Sequence, residues 1–319
     1  MRKLWMFTVI TLLTIGLVAC GNSDTNDETE KDPKSSADEQ EETIEVEHEL
    51  GTTEVQKNPE NVVVFDYGIL DTLDHLEIDV AGVPQQGIPT YLEKYASDDY
   101  EHVGSLKEPD FEKLAEMNPD LIIISARQAE VYDELQEIAP TIYLGLDTTR
   151  YMDSFKENMK VVGDIFSKES EIKEKLETID GTIATVKEKA EASGDEALII
   201  LANDDKISAF GPSSRFGLIH DVLGVPAVDE NIEVSRHGMN VSFEYVVENE
   251  PDILYVVDRG AVVSGESSAK QVVENKLIKS TDVYKNDRII YLNPEFWYLS
   301  GGGLISVQEM IQAIDESLE

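Results

Sequence analysis

One pattern of apolar and polar positions occurs twice along the chain, over residues 111–127 and again over residues 243–259. Each copy begins with the three- and four-residue spacing of a short helix that has a glutamate in its first turn. Pro-Asp follows, then a continuous apolar run, and an arginine stands shortly after the run ends. This order is typical of a helix that leads into a buried strand. The repeat therefore predicts two related units in one chain.

Further apolar runs along the chain indicate the fold class. Residues 62–65 and residues 197–201 form two such runs, and each is followed by helical spacing and later by Gly-Val-Pro. Continuous apolar strands that alternate with helices indicate parallel sheets covered on both faces. We therefore expect an N-terminal α/β lobe over residues 44–150 and a C-terminal α/β lobe over residues 194–319.

The segment between the predicted lobes has helical spacing throughout. Apolar residues recur every three or four positions from residue 152 to residue 166 and again from residue 172 to residue 186. Lys and Glu fill many of the other positions, and a helix of this kind packs its apolar stripe and leaves its charged face in water. We expect one long helix, or two consecutive helices, over residues 151–193 that join the lobes.

The first residues of the chain form a separate pattern. Arg2 and Lys3 precede an apolar run that ends at Leu17-Val18-Ala19-Cys20. This order is typical of a secretory signal peptide. A stable membrane span is not expected, because the apolar run is too short and lacks the flanking residues of a span. A cysteine at this junction resembles the lipobox of bacterial lipoproteins, which implies that residues 1–20 are a signal peptide and that Cys20 carries lipid. The alternative is an ordinary signal peptide, with Cys20 in the protein core.

Composition narrows the classes of partner. Residues 21–43 are rich in acids and have no aromatic or branched aliphatic residue, so we expect a disordered acidic tether there,. The whole chain has 65 acidic and 26 basic residues and a formal net charge of −39. This charge argues against nucleic acid and against an anionic membrane surface as partners. A small anionic ligand stays compatible with it, because exposed charges are screened beyond about 8 Å at physiological salt.

Arg127 and Arg259 are the candidate binding residues that the repeat itself supplies. In open α/β sheets the ligand site lies beyond the carboxyl ends of the strands, and each arginine follows such an end. Two facing lobes would therefore bring both arginines to one cleft. The sequence contains no HExxH, P-loop or GxSxG pattern, and no nucleophile–base pair is recognisable, so we do not expect an enzyme,.

Five segments resemble the iron-siderophore class of periplasmic-type binding proteins, which serve ABC importers. The segments are 103–109 (VGSLKEP), 123–128 (IISARQ), 210–222 (FGPSSRFGLIHDV), 257–260 (VDRG) and 297–303 (WYLSGGG). The chain is most similar to petrobactin-binding lipoproteins of Gram-positive bacteria and to a catecholate-binding relative from Gram-negative bacteria. The resemblance implies a class III periplasmic-binding-protein fold, in which two Rossmann-like lobes are joined by a long helix. It also implies capture of a ferric catecholate-type siderophore, such as petrobactin, without an intrinsic cofactor.

The resemblance assigns roles to particular residues. Arg127, Arg215 and Arg259 match three arginines that hold the ferric complex, and guanidinium groups suit this task because they are permanently charged forks of donors. His237 and Tyr298 match residues that complete iron coordination when a tetradentate siderophore leaves two positions open. The plainer alternatives are surface salt bridges for the arginines, a loop histidine and an aromatic cleft wall.

Glu112 and Glu244, the equivalent glutamates of the repeat, match residues that dock on the permease dimer of the importer. The alternative is that they are helix N-terminal acids stabilised by the helix dipole. The resemblance further implies a monomer that a lipid anchor holds on the extracellular face of the cell membrane. Haem, cobalamin and other metal chelates are alternative ligands for this fold, and a surface siderophore esterase is the alternative of another class.

Overall fold

The computed structural model of the protein describes residues 42–266 and 269–319. The predicted signal peptide with Cys20 lies outside these residues, and so does the predicted tether up to residue 41. The first strand begins at Thr43, which is the last residue of that predicted tether. None of the helices in the described ranges is both long enough and apolar enough to cross a membrane.

The described residues form twelve strands and ten α-helices. The strands are β1 (Thr43–His48), β2 (Gly51–Gln56), β3 (Val62–Val64), β4 (Gly82–Val83), β5 (Glu101–His102), β6 (Leu121–Ile124), β7 (Thr141–Tyr143), β8 (Ala197–Asn203), β9 (Lys206–Phe210), β10 (Met239–Val241), β11 (Ile253–Asp258) and β12 (Ile289–Leu292). The helices are α1 (Tyr67–His75), α2 (Phe111–Met117), α3 (Tyr132–Gln136), α4 (Tyr151–Phe166), α5 (Glu169–Ser193), α6 (Phe243–Asn249), α7 (Arg259–Val263), α8 (Ala269–Val273), α9 (Asp282–Lys285) and α10 (Leu304–Ser317).

Two five-stranded sheets form the framework. The first sheet has the order β5-β4-β3-β6-β7, and all of its strand pairs are parallel. The second sheet has the order β10-β9-β8-β11-β12, in which β8, β11 and β12 are parallel. Strand β9 pairs antiparallel with both β8 and β10. Strands β1 and β2 form a separate antiparallel hairpin.

The prediction of parallel sheets holds for the first sheet and is wrong for β9. Asn203 pairs with Lys206, so only Asp204 and Asp205 connect β8 to β9. A two-residue connection makes a hairpin, because a parallel crossover needs a dozen or more residues. Asp204 has a φ of 55°, and tight hairpin turns require positive φ values of this kind,.

The sequence repeat is present in the structure as two equivalent helix–strand units, α2–β6 and α6–β11. The helices are followed by Asn118 and Glu250, and both residues adopt the left-handed conformation with a φ of 45°. Pro119 and Pro251 come next and cannot continue a helix, so the chain turns into the strand. Every residue of β6 and β11 is buried, which explains the continuous apolar runs,.

Helices α4 and α5 follow each other between the last strand of the first sheet and the first strand of the second. Ser167, with a φ of 55°, ends α4, and α5 starts two residues later. Phe155 and Met159 of α4 and Ile179 and Val186 of α5 are buried in one hydrophobic cluster. The same cluster contains residues of both large sheets, so the two halves of the protein share a core and form one compact unit.

A buried carboxyl group connects helices α1 and α10. Asp71 of α1 accepts hydrogen bonds from the backbone amides of Ile305 (3.2 Å) and Ser306 (2.9 Å) in the first turn of α10. The Tyr91 hydroxyl donates to the same carboxyl group at 3.2 Å. Burial raises the pKa of Asp71 to about 7, although the hydrogen bonds act in the opposite direction. The charge on this contact therefore changes close to neutral pH.

We expect the Asp71→Asn variant to lose one component of the pH dependence of stability. A carboxyl group whose pKa is raised on folding stabilises the folded state fully below its unfolded value of 3.8, and this stabilisation is lost as pH rises through about 7,. Between those two values, the free energy of unfolding of the wild type should fall relative to the variant by up to about 4 kcal/mol. Denaturant unfolding over this pH range measures the difference, and parallel profiles would contradict the assignment.

Candidate functional site

Three arginines lie at the carboxyl ends of strands or in short connections after them. Arg127 follows β6 of the first sheet, and Arg259 is the first residue of α7, directly after β11 of the second sheet. Arg215 lies between β9 and a π-helical turn formed by Leu218–Val222. Each arginine thus follows closely after the end of a strand, and the fixed position of that strand limits where the side chain can reach.

All three guanidinium groups meet at Tyr298. Arg127 Nη2 and Arg215 Nη2 donate to the backbone carbonyl of Tyr298, at 3.2 and 2.6 Å. Arg259 Nε donates to the Tyr298 hydroxyl at 3.0 Å, and Arg259 Nη1 donates to Asn203 Oδ1 at 2.7 Å. The Arg215 guanidinium also lies 4.1 Å from the centroid of the Tyr298 ring, within cation–π range,. Tyr298 therefore contacts arginines from both halves of the protein.

Tyr298 belongs to a π-helical turn, Glu295–Leu299. The Ser300 amide donates to the Glu295 carbonyl at 3.1 Å, as expected for a turn of this wide type, which is rare and often found at functional sites,. The Glu295 carboxylate accepts hydrogen bonds from the Thr90 amide (3.0 Å) and the Thr90 hydroxyl (2.8 Å). These bonds hold the turn against the first half of the protein and so fix the Tyr298 carbonyl.

The arginines adjoin a cavity of about 530 Å³ whose wall comes from both halves of the protein. This volume lies within the usual range for small-molecule sites. The wall includes the aromatic side chains of Tyr151, Trp297 and Tyr298 beside Arg127 and Arg215, together with small and aliphatic residues. Arg259 is not part of the wall, although it contacts Tyr298. In the described part of the chain, the wall contains no aspartate or glutamate.

A fourth arginine, Arg236, also lines this cavity. We define the arginine cluster as Arg127, Arg215, Arg236 and Arg259. Within residues 42–266 and 269–319, no member of the cluster forms an ion pair, whereas the remaining arginines, Arg150 and Arg288, each pair with acids. In a chain with 65 acidic residues, arginines without an acidic partner beside a cavity indicate a site for a negatively charged ligand,.

The electrostatics of the cavity follow from this arrangement. Burial lowers the pKa of Arg215, and the charges of Arg127 and Arg236 lower it further, against an opposing effect of Tyr298. Burial alone would raise the pKa of Tyr298, but the charges of Arg215 and Arg259 and their hydrogen bonds outweigh burial and lower it. A partly buried cation without a counter-charge is costly, and an anionic ligand would supply that charge.

Most of the chain matches a known protein family. The family model described as periplasmic binding protein matches residues 62–296. The chain belongs to the periplasmic binding protein family. The match begins at β3 and ends after β12, so it includes every strand of the two five-stranded sheets.

Individual relatives are similar over nearly the whole length. Petrobactin-binding protein YclQ of Bacillus subtilis is 50% identical over 323 residues, with 100% of both chains covered. Its crystal structure has a TM-score of 0.85 at 55% identity, covering 87% of this chain and 99% of that one. The periplasmic catecholate-siderophore binding protein VctP of Vibrio cholerae has a TM-score of 0.82 at 35% identity, covering 86% of this chain and 100% of that one. Ferric-anguibactin-binding protein FatB of Vibrio anguillarum is 31% identical, covering 85% of this chain and 86% of the relative.

These similarities decide two of the sequence predictions for this periplasmic binding protein. The predicted class III periplasmic-binding-protein fold is confirmed by the structural similarity to YclQ and VctP. The prediction that the chain is not an enzyme is confirmed as well, because the relatives are binding proteins.

His237 occupies a different place from the other predicted site residues. Its side chain is exposed and is not part of the cavity wall, whereas the residue before it, Arg236, is. Arg236 lies outside the sequence repeat and outside the five resembling segments, so its position directly before His237 is the signal in the sequence that could have found it. In the described residues, no group of three or more His, Cys, Asp or Glu side chains is placed to hold a metal ion.

Glu112 and Glu244 lie in the first turns of α2 and α6, and both are exposed. Helix α2 follows β5, which is parallel to the other strands of the first sheet. Helix α6 follows β10, which runs in the direction of β8 because both are antiparallel to β9. Both helices therefore start at the carboxyl edge of their sheet, the edge at which Arg127 and Arg259 also follow their strands,.

We expect the Arg259→Gln variant to raise the pKa of Tyr298. The hydrogen bond and the charge of Arg259 are among the causes that lower this pKa, and glutamine removes the charge. A pH titration followed by NMR of ring-labelled tyrosine measures the change, with Tyr298→Phe to assign the signal. Arg288→Gln is the control, because Arg288 pairs with Asp195 and is not part of the arginine cluster. An unchanged titration in Arg259→Gln would contradict the described contact.

Proposed function

We propose that this periplasmic binding protein captures a ferric siderophore of the catecholate type and delivers it to an ABC importer. The observation that carries the proposal is the convergence of guanidinium groups from both halves of the protein on Tyr298. They adjoin a cavity whose wall has no acidic side chain among the described residues. The relatives support the ligand class, since YclQ is a petrobactin-binding protein and VctP a catecholate-siderophore binding protein.

The chemistry of the ligand matches the chemistry of the wall. A ferric catecholate complex is an anion with aromatic rings on its outside. Guanidinium groups suit such a surface because they stay charged, present several donors and stack on rings. Arg127 and Arg215 line the cavity and would contact the ligand directly, whereas Arg259 would act together with Tyr298. A bound anion would attract all of these cations, and this attraction would offset the repulsion between them.

Tyr298 and His237 are proposed iron ligands only for a siderophore that leaves coordination positions open. A phenol with a lowered pKa loses its proton more readily, and phenolate and imidazole are both suitable iron donors,. His237 is exposed in the loop before β10 and would have to turn towards the cavity. A hexadentate siderophore needs neither residue. The ferric siderophore is the transported cargo, and the protein requires no cofactor of its own.

Delivery involves residues outside the cavity. We propose that Glu112 and Glu244 dock the loaded protein on the permease dimer of the importer, because they are equivalent, exposed and placed on corresponding helices. The lipobox pattern at Cys20 supports a lipid anchor that keeps the protein, as a monomer, at the extracellular face of the membrane,. The anchor would keep the protein from diffusing away between capture of the siderophore and docking on the permease.

We expect ferric petrobactin to quench the fluorescence of Trp297, which is buried in the cavity wall. The chain from residue 21 onward is suitable, because the described residues form one compact unit and Trp297 is then the sole tryptophan. Arg127→Ala and Arg215→Ala should each weaken binding at least about tenfold, since each removes a charge-assisted contact. Arg288→Ala should leave the affinity unchanged.

The same titration separates the proposed ligand from its alternatives. Haem, cobalamin and a neutral ferric hydroxamate should bind more weakly than ferric petrobactin, because they bring less negative charge to the arginine cluster. Tight quenching by one of these three, with none by ferric petrobactin or a synthetic ferric bis-catecholate, would overturn the proposed ligand class. Recovery of an intact siderophore after incubation checks the absence of hydrolysis, and cleavage products would favour an esterase.

We expect the double variant Glu112→Gln/Glu244→Gln to bind ferric petrobactin normally and to lose most importer-dependent uptake. Uptake of radiolabelled iron by cells that carry the importer measures the effect. The matched control is Glu116→Gln/Glu248→Gln, which removes two exposed glutamates one helical turn later on the same helices. Equal uptake by the two double variants would remove the docking assignment.

A further inference from the structure

The segment from Val234 to Arg236 is part of the wall of the cavity that Arg127 and Arg215 also line. It leads into a tight turn, in which the Gly238 amide donates to the Ser235 carbonyl at 3.2 Å. The Ser235 hydroxyl donates in return to the Gly238 carbonyl at 3.0 Å. Arg236 and His237 are the two central residues of this turn, and the wall includes the first of them but not the second.

The turn is held in place at its C-terminal end. Gly238 has a φ of 75°, and a Cβ atom there would lie 2.6 Å from the Phe210 ring and 2.9 Å from the Ala209 carbonyl oxygen. Glycine therefore permits both the turn and its contact with β9. The next residue, Met239, pairs with Ala209 at the start of β10. This anchoring keeps Arg236 at the edge of the cavity.

Two properties of the segment point towards a ligand. Arg236 is exposed, has no ion-pair partner in the described residues and lies close enough to Arg215 to lower its pKa. Val234 is 56% exposed, the largest exposure of any large apolar side chain in the described ranges, yet it lines the cavity. An exposed apolar side chain beside an exposed cation suits a ligand that has both apolar and anionic parts.

We propose that residues 234–236 form the rim of the binding site and recognise the periphery of the ligand, with Arg236 attracting an anionic group and Val234 packing on an apolar part. The inference rests on the proposed function, because it takes the ligand to be an anionic ferric chelate. A rim charge acts mainly on the rate of association, since it raises the local concentration of an oppositely charged ligand. In a chain with a net charge of −39, such a charge offsets repulsion of the ligand by the rest of the surface.

Stopped-flow fluorescence of Trp297 with ferric petrobactin tests this division of roles. At low salt, Arg236→Gln should associate about five times more slowly than the wild type, with dissociation changed less than about twofold. The difference should largely disappear near 1 M salt, where the Debye length is about 3 Å. Arg236→Lys should restore most of the association rate. Val234→Ser should instead speed dissociation and leave association unchanged.

Lys173→Gln is the control for net charge, because Lys173 is an exposed cation on α5 and is not part of the cavity wall. It should associate at the wild-type rate. If the wild type binds ferric petrobactin and Arg236→Gln associates equally fast at low salt, the rim assignment is wrong and the proposed function stands. If the wild type binds no ferric catecholate, the proposed function fails and this inference fails with it.

Discussion

The binding site depends on keeping like-charged guanidinium groups together although, within residues 42–266 and 269–319, none of them forms an ion pair with a carboxylate. Buried charges of one sign repel each other strongly where water is scarce. The protein offsets this repulsion with neutral acceptors: the Tyr298 carbonyl, the Tyr298 hydroxyl and the Asn203 amide oxygen. Such groups orient the guanidinium forks but leave their charge uncompensated. The positive potential of the cavity is therefore available to a ligand and is not consumed within the protein.

This arrangement requires that the parts which carry the cations keep a fixed relation. Arg127 comes from the first sheet and Arg215 from the second half of the chain, and they share one carbonyl acceptor. The hydrophobic cluster that extends from both sheets through α4 and α5 supplies the necessary rigidity. The Asp71 contact with α10 and the Glu295 contact with Thr90 add polar connections between distant parts of the chain. We expect a core shared in this way to permit small adjustments around a ligand rather than wide opening.

Part of the fold and of the site could be predicted because it depends on local order along the chain. The repeat predicted Arg127 and Arg259 at equivalent strand ends, because a helix and the buried strand after it each have a recognisable spacing of apolar residues. The antiparallel β9 escaped prediction because its cause is a two-residue connection at Asp204-Asp205, which the apolar pattern does not reveal. The contribution of Arg236 was also missed. Which of two neighbouring turn residues faces a cavity depends on how the turn packs on Phe210, and that is a tertiary contact.

The shared core also constrains how such a protein can change its ligand during evolution. Exchange of one lobe for that of a relative would bring together apolar surfaces shaped by different partners, and poorly matched packing of this kind is destabilising. Single residues at the cavity edge are not subject to this restriction, because they lie outside the core. Diversification of ligand preference is therefore easiest at positions such as 234 and 236, while the buried scaffold beneath them stays unchanged.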